Sequence, residues 1–270
     1  MTVKCKSILV TGSTDGIGKH TALDLARIGA RVLLHGRDPK KGGGVQEEIA
    51  QETSSDQLEL FIADLASQRQ VRMLAANIKK RHESLDVLIN NAGTFQADRM
   101  LTEDGLETTF AVNYLAPFLL TRELLNMLKE SAPSRIINVA SIAHWNAKID
   151  WNNLLGEQWY DGFQAYALSK LGIVLFTYEL AERLKGSGVT VNCLHPGVVK
   201  TKLLRAGFGD LPGSTPEKGA RTSIYLASSP DLENVSGKYF ESCRPARSSP
   251  LSYDKTLQEE FWRLSENLVA

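Results

Sequence analysis

The sequence has few cysteines, no net charge and no long apolar run. The three cysteines are far apart and form no CxxC pair, so neither a disulfide framework nor a zinc or other metal site is indicated. Lys plus Arg and Asp plus Glu each number 31, which argues against a nucleic-acid-binding protein. No stretch approaches the ~20 apolar residues that span a bilayer, and no targeting segment is visible. We therefore expect a cytoplasmic protein without a transmembrane segment.

The 270 residues are 43% hydrophobic and 23% charged, an ordinary globular composition. Short apolar runs such as 85–90, 135–140 and 189–194 alternate with stretches of helical periodicity. Runs that are apolar throughout are typical of parallel strands buried on both faces. The pattern predicts the α/β class, with a single-domain Rossmann-type doubly wound parallel sheet and helices on both faces, over residues 1–270.

Several segments carry their own expectations. Residues 105–127 predict one long helix, and Pro39 with glycines 42–44 predicts a loose connection. Residues 201–216 are rich in glycine and proline, so we expect a mobile loop that covers a substrate site. Residues 244–250 also look irregular, whereas the apolar spacing in 255–268 predicts a C-terminal amphipathic helix.

Residues 11–18, the glycine loop, follow the first predicted strand and open a helix. Their spacing is G-x-x-x-G-x-G. Glycine permits a tight turn and close backbone approach, and the helix N-terminus offers free N–H groups to a pyrophosphate. The loop therefore predicts a dinucleotide site, although a plain strand-to-helix turn is the alternative.

The end of the second strand bears on the choice of cofactor. An NAD-binding domain usually has an acidic residue there, which binds the ribose hydroxyls. Here the strand runs into His35, Gly36 and Arg37, and a guanidinium suits a 2′-phosphate. We therefore favour NADP(H), with NAD(H) as the alternative because Asp38 follows directly. Arg37 could also be a solvated surface residue, and His35 could contact the adenosine or pack internally.

Tyr166 and Lys170 lie four residues apart on a predicted helix and so share one face. A phenol has a pKa of about 10, and a nearby ammonium is expected to lower that pKa toward the range useful for proton transfer. By itself the Y-x-x-x-K pair could be a chance surface pair. Ser141 ends another strand, where its hydroxyl could donate a hydrogen bond to the substrate oxygen or merely cap a turn.

Together the glycine loop, Asn90-Asn91-Ala92-Gly93, Ser141 and Tyr166-x-x-x-Lys170 resemble the motifs of the short-chain dehydrogenase/reductase family. The resemblance extends from residue 6 to about residue 238. It implies an oxidoreductase that transfers hydride between nicotinamide and a carbonyl or alcohol, with Tyr166 as acid/base. It also implies a catalytic tetrad, which here is Asn113, Ser141, Tyr166 and Lys170.

The resemblance assigns further roles. Asp64, with Leu65, would bind the adenine, although Asp64 could also cap the helix near Ser67. Asn113 would help hold a water chain to the lysine, or could be a core amide bonded to backbone. The Pro196-Gly197 segment would meet the nicotinamide carboxamide, and N-N-A-G would leave room for the ribose; each could be only a turn. The cofactor-binding residues expected are Gly12, Ser13, Thr14, Asp15, Gly16, Ile17, Gly18, Arg37, Asp64, Leu65, Asn91, Ala92, Gly93, Tyr166, Lys170, Pro196, Gly197, Val199 and Thr201.

An insert at 144–160, with Ala-His after the serine, resembles the retinol-dehydrogenase-like branch. That branch prefers NADP and acts on retinoids, steroids or other lipophilic aldehydes and ketones. Many of its members carry an N-terminal membrane anchor, which we do not see here. The insert's aromatic residues could line an apolar pocket or pack the insert onto the body. They are Trp145, Trp151, Trp159 and Tyr160.

Three alternatives stay open at this point. The same fold could serve as a non-catalytic NADP-binding sensor or scaffold, although an intact tetrad favours an enzyme. An epimerase or dehydratase would be expected to have a separate substrate domain. Residues 105–127 and the helix carrying Tyr166 could form a homodimer or homotetramer, or could simply be buried core.

Overall fold

The computed structural model describes residues 3–270, which contain one eight-stranded sheet of order β3-β2-β1-β4-β5-β6-β7-β8. Neighbouring strands run parallel from β3 to β7, and only β8 is antiparallel to its neighbour. The order reverses between β1 and β4, as in a doubly wound fold. The strands are β1 (Ser7–Val10), β2 (Arg31–Gly36), β3 (Leu58–Ile62), β4 (Val87–Asn90), β5 (Ser134–Val139), β6 (Val189–His195), β7 (Lys238–Glu241) and β8 (Arg244–Ala246).

Helices cover both faces of this sheet. Successive side chains of a strand point to opposite faces, and in β1 Leu9 packs into one hydrophobic cluster while Ile8 and Val10 pack into the other. The first cluster lies under α3, α5, α6 and α9, and the second under α1, α2 and α8. The fold class predicted from the sequence is thus confirmed. The helices are α1 (Gly16–Arg27), α2 (Pro39–Thr53), α3 (Gln68–Arg81), α4 (Thr108–Phe110), α5 (Ala116–Glu130), α6 (Gly162–Arg183), α7 (Lys202–Phe208), α8 (Pro216–Ser228) and α9 (Lys255–Leu268).

Two predictions about local structure were wrong. Residues 39–44 are not a loose connection, because Asp38 caps α2 and Pro39 occupies its first turn, where a missing N–H costs nothing. Residues 105–127 are not one regular helix, because the turn Ala111–Leu115 between α4 and α5 is a π-helix. Such turns are rare and frequently occur at functional sites.

The segment 201–216 was expected to be an irregular loop, but it contains α7, which the Thr201 side chain caps. Residues 244–250 were also expected to be irregular, yet they begin with β8. Both α7 and β8 are short and contain or adjoin glycine or proline, so neither shows a clear hydrophobic periodicity. Among residues 3–270, no helix is both long enough and apolar enough to cross a membrane.

The C-terminal helix covers the faces of α5 and α6 that were considered for assembly. Trp262 of α9 lies with its ring 5.1 Å from that of Phe118 and 6.0 Å from that of Phe176. The Arg183 guanidinium lies over the other side of this indole, 4.1 Å from its ring. Within one chain α9 therefore covers part of α5 and α6, and the homodimer or homotetramer stays a prediction.

The close packing of α6 against the π turn gives a stability prediction. A Cβ added at Gly172 would lie 2.9 Å from Cδ2 of Tyr114, whose ring is fully buried and whose hydroxyl is bonded to Ser265. We expect Gly172→Ala to lower the free energy of unfolding by about 1–3 kcal/mol in urea denaturation.

The matched control is Gly44→Ala in α2, where no atom lies within 4 Å of the added Cβ. This substitution should raise the free energy of unfolding by up to about 1 kcal/mol, because alanine favours helix over glycine. Equal effects of the two substitutions would contradict the close packing.

Candidate active site

A cleft of about 650 Å³ opens at the carboxyl ends of the strands. Ligands of open parallel sheets bind at this edge, where the strand order reverses. Two of the residues expected at the site, Ser13 and Asn113, lie behind the wall of the cleft. The others line it: Gly12, Thr14, Asp15, Gly16, Ile17, Gly18, Arg37, Asp64, Leu65, Asn91, Ala92, Gly93, Ser141, Tyr166, Lys170, Pro196, Gly197, Val199 and Thr201.

The glycine loop folds so tightly that side chains are excluded at two positions. Gly12 has φ of +65°, and a Cβ there would lie 2.9 Å from the Cα of Ala92. A Cβ on Gly18 would lie 2.3 Å from the Gly12 carbonyl oxygen. The loop therefore needs glycine at these positions, and it leads directly into the N-terminus of α1, where backbone N–H groups favour an anion.

His35 holds the glycine loop from behind. Its Nδ1 accepts the Gly12 N–H at 3.1 Å, and its Nε2 lies 3.1 Å from the Ala63 carbonyl oxygen, to which it donates. Burial lowers the pKa of His35 to about 4, so the ring is neutral at physiological pH. The Ser13 hydroxyl accepts the backbone N–H of His35 at 2.8 Å. These contacts hold His35 from the protein side, and because the ring also lines the cleft, a contact with the adenosine stays a prediction.

Two basic residues that follow β2 line the cleft. One is Arg37, and the other is Lys41 in the first turn of α2, which sequence analysis missed. Asp38 is used elsewhere: its Oδ1 accepts the N–H groups of Lys40 and Lys41 at 2.8 and 3.1 Å. The acidic residue that left NAD(H) as an alternative is thus the cap of α2.

Asp15 balances the positive charge at the mouth of the cleft. Its Oδ2 lies 2.5 Å from Nζ of Lys41 and 3.0 Å from Nζ of Lys202, which belongs to α7. The hydrogen bond from Lys41 is the main reason that the pKa of Asp15 falls to about 2. This carboxylate also caps α1 by accepting the Gly16 N–H at 2.9 Å.

The N-N-A-G segment joins β4 to the glycine loop. The Thr11 hydroxyl accepts the N–H groups of Asn91 and Ala92 at 2.9 and 3.0 Å. The Asn91 side chain donates to the Thr11 carbonyl oxygen at 2.8 Å. A Cβ on Gly93 would lie 3.7 Å from Nζ of Lys170, so a small residue leaves space at the reacting centre. The segment is therefore more than a turn.

Asn113 lies in the π turn. Its Oδ1 accepts the Thr94 N–H at 2.7 Å, and its Nδ2 donates to the Thr94 carbonyl oxygen at 2.9 Å and to the Ser169 hydroxyl at 3.1 Å. These contacts fit a core amide, and the role in a water chain stays a prediction. Near the adenine end, Ser67 caps α3, and Asp64 accepts the Ala66 N–H at 3.0 Å.

Ser141, Tyr166 and Lys170 meet at the inner end of the cleft. The Ser141 hydroxyl lies close enough to the Tyr166 phenol to lower the pKa of that phenol. Lys170 Nζ lies over the Tyr166 ring, 5.7 Å from its centroid, and donates to the Val139 carbonyl oxygen at 2.9 Å. Both Tyr166 and Lys170 are buried, whereas a chance pair would lie on the outer surface.

The pKa shifts differ from the sequence-based expectation. Burial raises the pKa of Tyr166 to about 12, although the Ser141 hydroxyl lowers it. Burial also lowers the pKa of Lys170 to about 8. The expected lowering at Tyr166 was wrong for this structure because the ammonium lies over the ring face rather than at the phenol oxygen. Desolvation then exceeds charge attraction.

His195, at the end of β6, also lines the cleft. Its Nδ1 is buried and has no hydrogen-bond partner among residues 3–270. Burial, together with the charge of Lys170, lowers the pKa of His195 to about 4. Nowhere in residues 3–270 is a cluster of three or more His, Cys, Asp or Glu residues arranged to hold a metal ion.

Comparison with known proteins agrees with this geometry. The model of the short chain dehydrogenase family matches residues 6–210. The chain belongs to this family. Mouse retinol dehydrogenase 13 is 44% identical to it, over 99% of this chain and 85% of the mouse protein. Human retinol dehydrogenase 14 is 42% identical, over 98% of this chain and 86% of the human protein. These relatives place it in the retinol-dehydrogenase-like branch.

Solved structures share the fold of this short-chain dehydrogenase. A crystal structure from Mycobacterium paratuberculosis, described as an uncharacterized protein, has a TM-score of 0.83 and 30% identity, covering 99% of this chain and 94% of that one. A Shigella flexneri structure, described as a short-chain dehydrogenase complexed with NADP, has a TM-score of 0.75 and 28% identity, covering 90% and 98% respectively.

The apolar part of the dehydrogenase cleft does not come from the tryptophans of the insert. Trp145, Trp151 and Trp159 are about half exposed and lie outside the cleft lining. The Tyr160 hydroxyl donates to Glu107 at 3.0 Å. Their alternative role, packing the insert onto the body, fits better. Other residues form the apolar wall instead. Some belong to the segment 201–216, which was expected to cover a substrate site: Leu203, Leu204, Phe208 and Leu211. Sequence analysis missed the others, Val112, Ile142 and Phe163.

The buried lysine of the dehydrogenase gives a pH prediction. Its pKa is about 8 in the folded state against an ordinary 10.5, so from about pH 8 to 10.5 the unfolded chain holds more protons. Stability of the unliganded protein should therefore rise with pH in this window. We expect Lys170→Met to stabilise the protein at pH 7 by on the order of 1–3 kcal/mol and to remove the rise.

Urea denaturation across this pH range measures the effect. Lys80→Met, at an exposed position of α3, is the control and should leave the pH dependence unchanged. If Lys170→Met destabilises the protein equally at all pH values, the buried ammonium is not the source of the pH dependence.

Proposed function

We propose that this short-chain dehydrogenase is an NADP(H)-dependent oxidoreductase that transfers hydride between nicotinamide and a lipophilic carbonyl or alcohol. The observation that carries the proposal is the meeting of Ser141, Tyr166 and Lys170 inside the cleft that the glycine loop borders. No observation favours a non-catalytic role, because each of these side chains is present and faces one shared space.

The residues of the cleft fit a dinucleotide. The glycine loop brings bare backbone and the N-terminus of α1 to the position of a pyrophosphate. Deeper in the cleft, the buried Nδ1 of His195 has no hydrogen-bond partner within residues 3–270, as expected where a ligand supplies one. When bound, NADP(H) supplies or accepts the hydride at its nicotinamide ring.

Support for NADP(H) over NAD(H) comes from the end of β2. Arg37 and Lys41 line the cleft there, and a guanidinium pairs well with a phosphate through charge-assisted hydrogen bonds. Asp38, which could have bound ribose hydroxyls, instead caps α2. The Shigella flexneri relative with bound NADP agrees with this choice.

The chain's own groups handle the proton. In reduction, Tyr166 is protonated at neutral pH and can donate to the substrate oxygen as the carbon accepts hydride. In oxidation the same phenol must accept the proton, and the positive charge of Lys170 stabilises the phenolate. The Ser141 hydroxyl donates a second hydrogen bond to the substrate oxygen and so orients it.

The substrate class follows from the wall beyond Tyr166. Phe208 lies 5.8 Å from the Tyr166 ring, and Phe163 lies 5.9 Å from that of Phe208. With Leu211 and Ile142 they give an apolar surface suited to a lipophilic substrate. Mouse retinol dehydrogenase 13, at 44% identity, is named for such a substrate, so retinoids and steroids belong in the test panel with simpler aldehydes and ketones.

Cofactor preference is tested by measuring turnover of the panel of retinoids, steroids, aldehydes and ketones with each cofactor, followed by the absorbance of the reduced nicotinamide. NADPH should outperform NADH in kcat/KM, and Arg37→Ala should narrow the ratio by roughly 10- to 100-fold, as expected for a lost charge-assisted contact. Arg69→Ala, at an exposed position of α3, should leave the ratio unchanged. Equal use of both cofactors by the unmodified enzyme would contradict the assignment.

The acid/base role is tested with Tyr166→Phe. This variant should still bind NADPH, measured by cofactor fluorescence, but its kcat should fall by about 10²–10⁴-fold because the transferable proton is gone. Tyr225→Phe on α8 removes a hydroxyl outside the cleft and should remain active. An active Tyr166→Phe enzyme would show that another group moves the proton.

A further inference from the structure

His144, three residues after Ser141, is fully buried and makes two hydrogen bonds to backbone. Its Nδ1 lies 2.6 Å from the carbonyl oxygen of Ser141. Its Nε2 lies 2.9 Å from the backbone nitrogen of Ser249, more than 100 positions further along the chain. One imidazole thus joins the backbone of the catalytic serine to the C-terminal part of the chain.

These partners fix the protonation of the ring. The Ser141 carbonyl can only accept, so Nδ1 carries the proton; the Ser249 N–H can only donate, so Nε2 is bare. Burial lowers the pKa of His144 below its usual value, which keeps the ring neutral. His195 opposes and Glu241 favours protonation. The Tyr239 and Trp145 rings pack 5.1 and 5.9 Å away from the imidazole.

The C-terminal side of the link is itself rigid. The Ser248 hydroxyl bonds to that of Tyr178 on α6 at 2.6 Å and to that of Ser252 at 2.7 Å. Gln258 of α9 donates to the Ser252 carbonyl oxygen at 2.8 Å. Because these groups are hydrogen-bonded to one another and to α6, the Ser249 N–H is held at a defined place relative to the helix that carries Tyr166.

Ser141 lies just beyond the sheet, where the chain turns. Ala140, the residue after β5, still donates its N–H to the Leu194 carbonyl oxygen at 2.8 Å, and the Ser141 side chain then accepts the Ala143 N–H at 3.2 Å at the start of a short 3₁₀ helix. The Ser141 carbonyl accepts two bonds in this turn, one from the His144 backbone N–H at 3.2 Å and one from the His144 imidazole at 2.6 Å. The imidazole bond is the shorter of the two, and it alone connects the turn to the C-terminal part of the chain.

We propose that His144 is a positioning residue: its Nδ1–H holds the Ser141 carbonyl and thereby fixes the Ser141 hydroxyl beside Tyr166 and the substrate oxygen, while the Ser249 N–H fixes the tautomer of the ring. The proposal rests on the proposed function, in which the Ser141 hydroxyl orients the reacting oxygen. His144 does not line the cleft and touches neither substrate nor cofactor. Its effect on the reaction therefore passes through Ser141.

Two amide substitutions separate the bonds of the imidazole. Asparagine places its NH₂ near the position of Nδ1 and can still donate to the Ser141 carbonyl. Glutamine places its amide near Nε2 and reaches the Ser249 side instead. We expect His144→Asn to keep kcat within about threefold of the parent, whereas His144→Gln lowers it by about tenfold or more, because small misplacements of a reacting group are costly. KM for NADPH should stay unchanged in both variants.

A pH profile distinguishes positioning from general loss of stability. The Ser141 hydroxyl lowers the pKa of Tyr166, so its displacement should move the rise of alcohol-oxidation kcat to higher pH. We expect this movement in His144→Gln and not in His144→Asn. Ser249→Ala is the matched control: it keeps the N–H that His144 accepts and removes a hydroxyl without a partner among residues 3–270, so its profile should match the parent.

Histidine ¹⁵N NMR of the unmodified full chain tests the two hydrogen bonds of the His144 ring directly, and a variant is needed only to assign the resonance. Among the five histidines, the resonance assigned to His144 by its loss in His144→Asn should report a neutral ring protonated at Nδ1. His35, which donates from Nε2, should report the opposite tautomer.

The outcomes are separable. No NADPH turnover by the parent with any member of the panel would overturn the proposed function and this proposal with it. Turnover by the parent with equal kcat and pH profiles in His144→Asn and His144→Gln would overturn this proposal alone. An Nε2-protonated or charged ring at His144 would also overturn it, whatever the kinetic result.

Discussion

The structure depends on the reversal of strand order between β1 and β4. Connections on either side of that point leave the carboxyl edge of the sheet in opposite directions, so a crevice is left between them. The glycine loop after β1, the N-N-A-G segment after β4 and Ser141 after β5 all reach this edge. Thr11 then bonds the first two together, so the crevice has a continuous backbone floor.

Burial gives the reacting centre its electrostatic character. Tyr166 and Lys170 lie in the interior, and their pKa values shift in the directions that favour two neutral side chains. A neutral Tyr166 phenol can donate a proton. Accepting one would require the phenolate, which burial disfavours unless a positive charge lies near it. By contrast, the charged groups at the outer end, among them Arg37 and Asp15, remain solvated. A charged, solvated mouth and an apolar interior thus occupy one cleft.

The C-terminal part of the chain supports the centre without lining it. Trp262 packs α9 against α5 and α6, and so helps hold the helix that carries Tyr166. Through Ser249 and His144 the same region reaches the backbone of Ser141. Two of the three side chains that we propose to act in the reaction, Ser141 and Tyr166, are therefore supported by residues that lie far from them in the sequence. Local patterns near the motifs do not reveal these supports.

The sequence by itself determined the α/β class, the strands from β1 to β6, the glycine loop and the pairing of Tyr166 with Lys170. Those features follow from periodicity and from spacing within one element, which local residue order fixes. Only the tertiary structure decided that Asp38 caps a helix, that α7 forms part of the cleft and that the insert's tryptophans lie outside it. It alone also decided that desolvation raises the pKa of Tyr166. Each of these depends on which distant residues come together, and burial and hydrogen bonding arise from that assembly rather than from the neighbours along the chain.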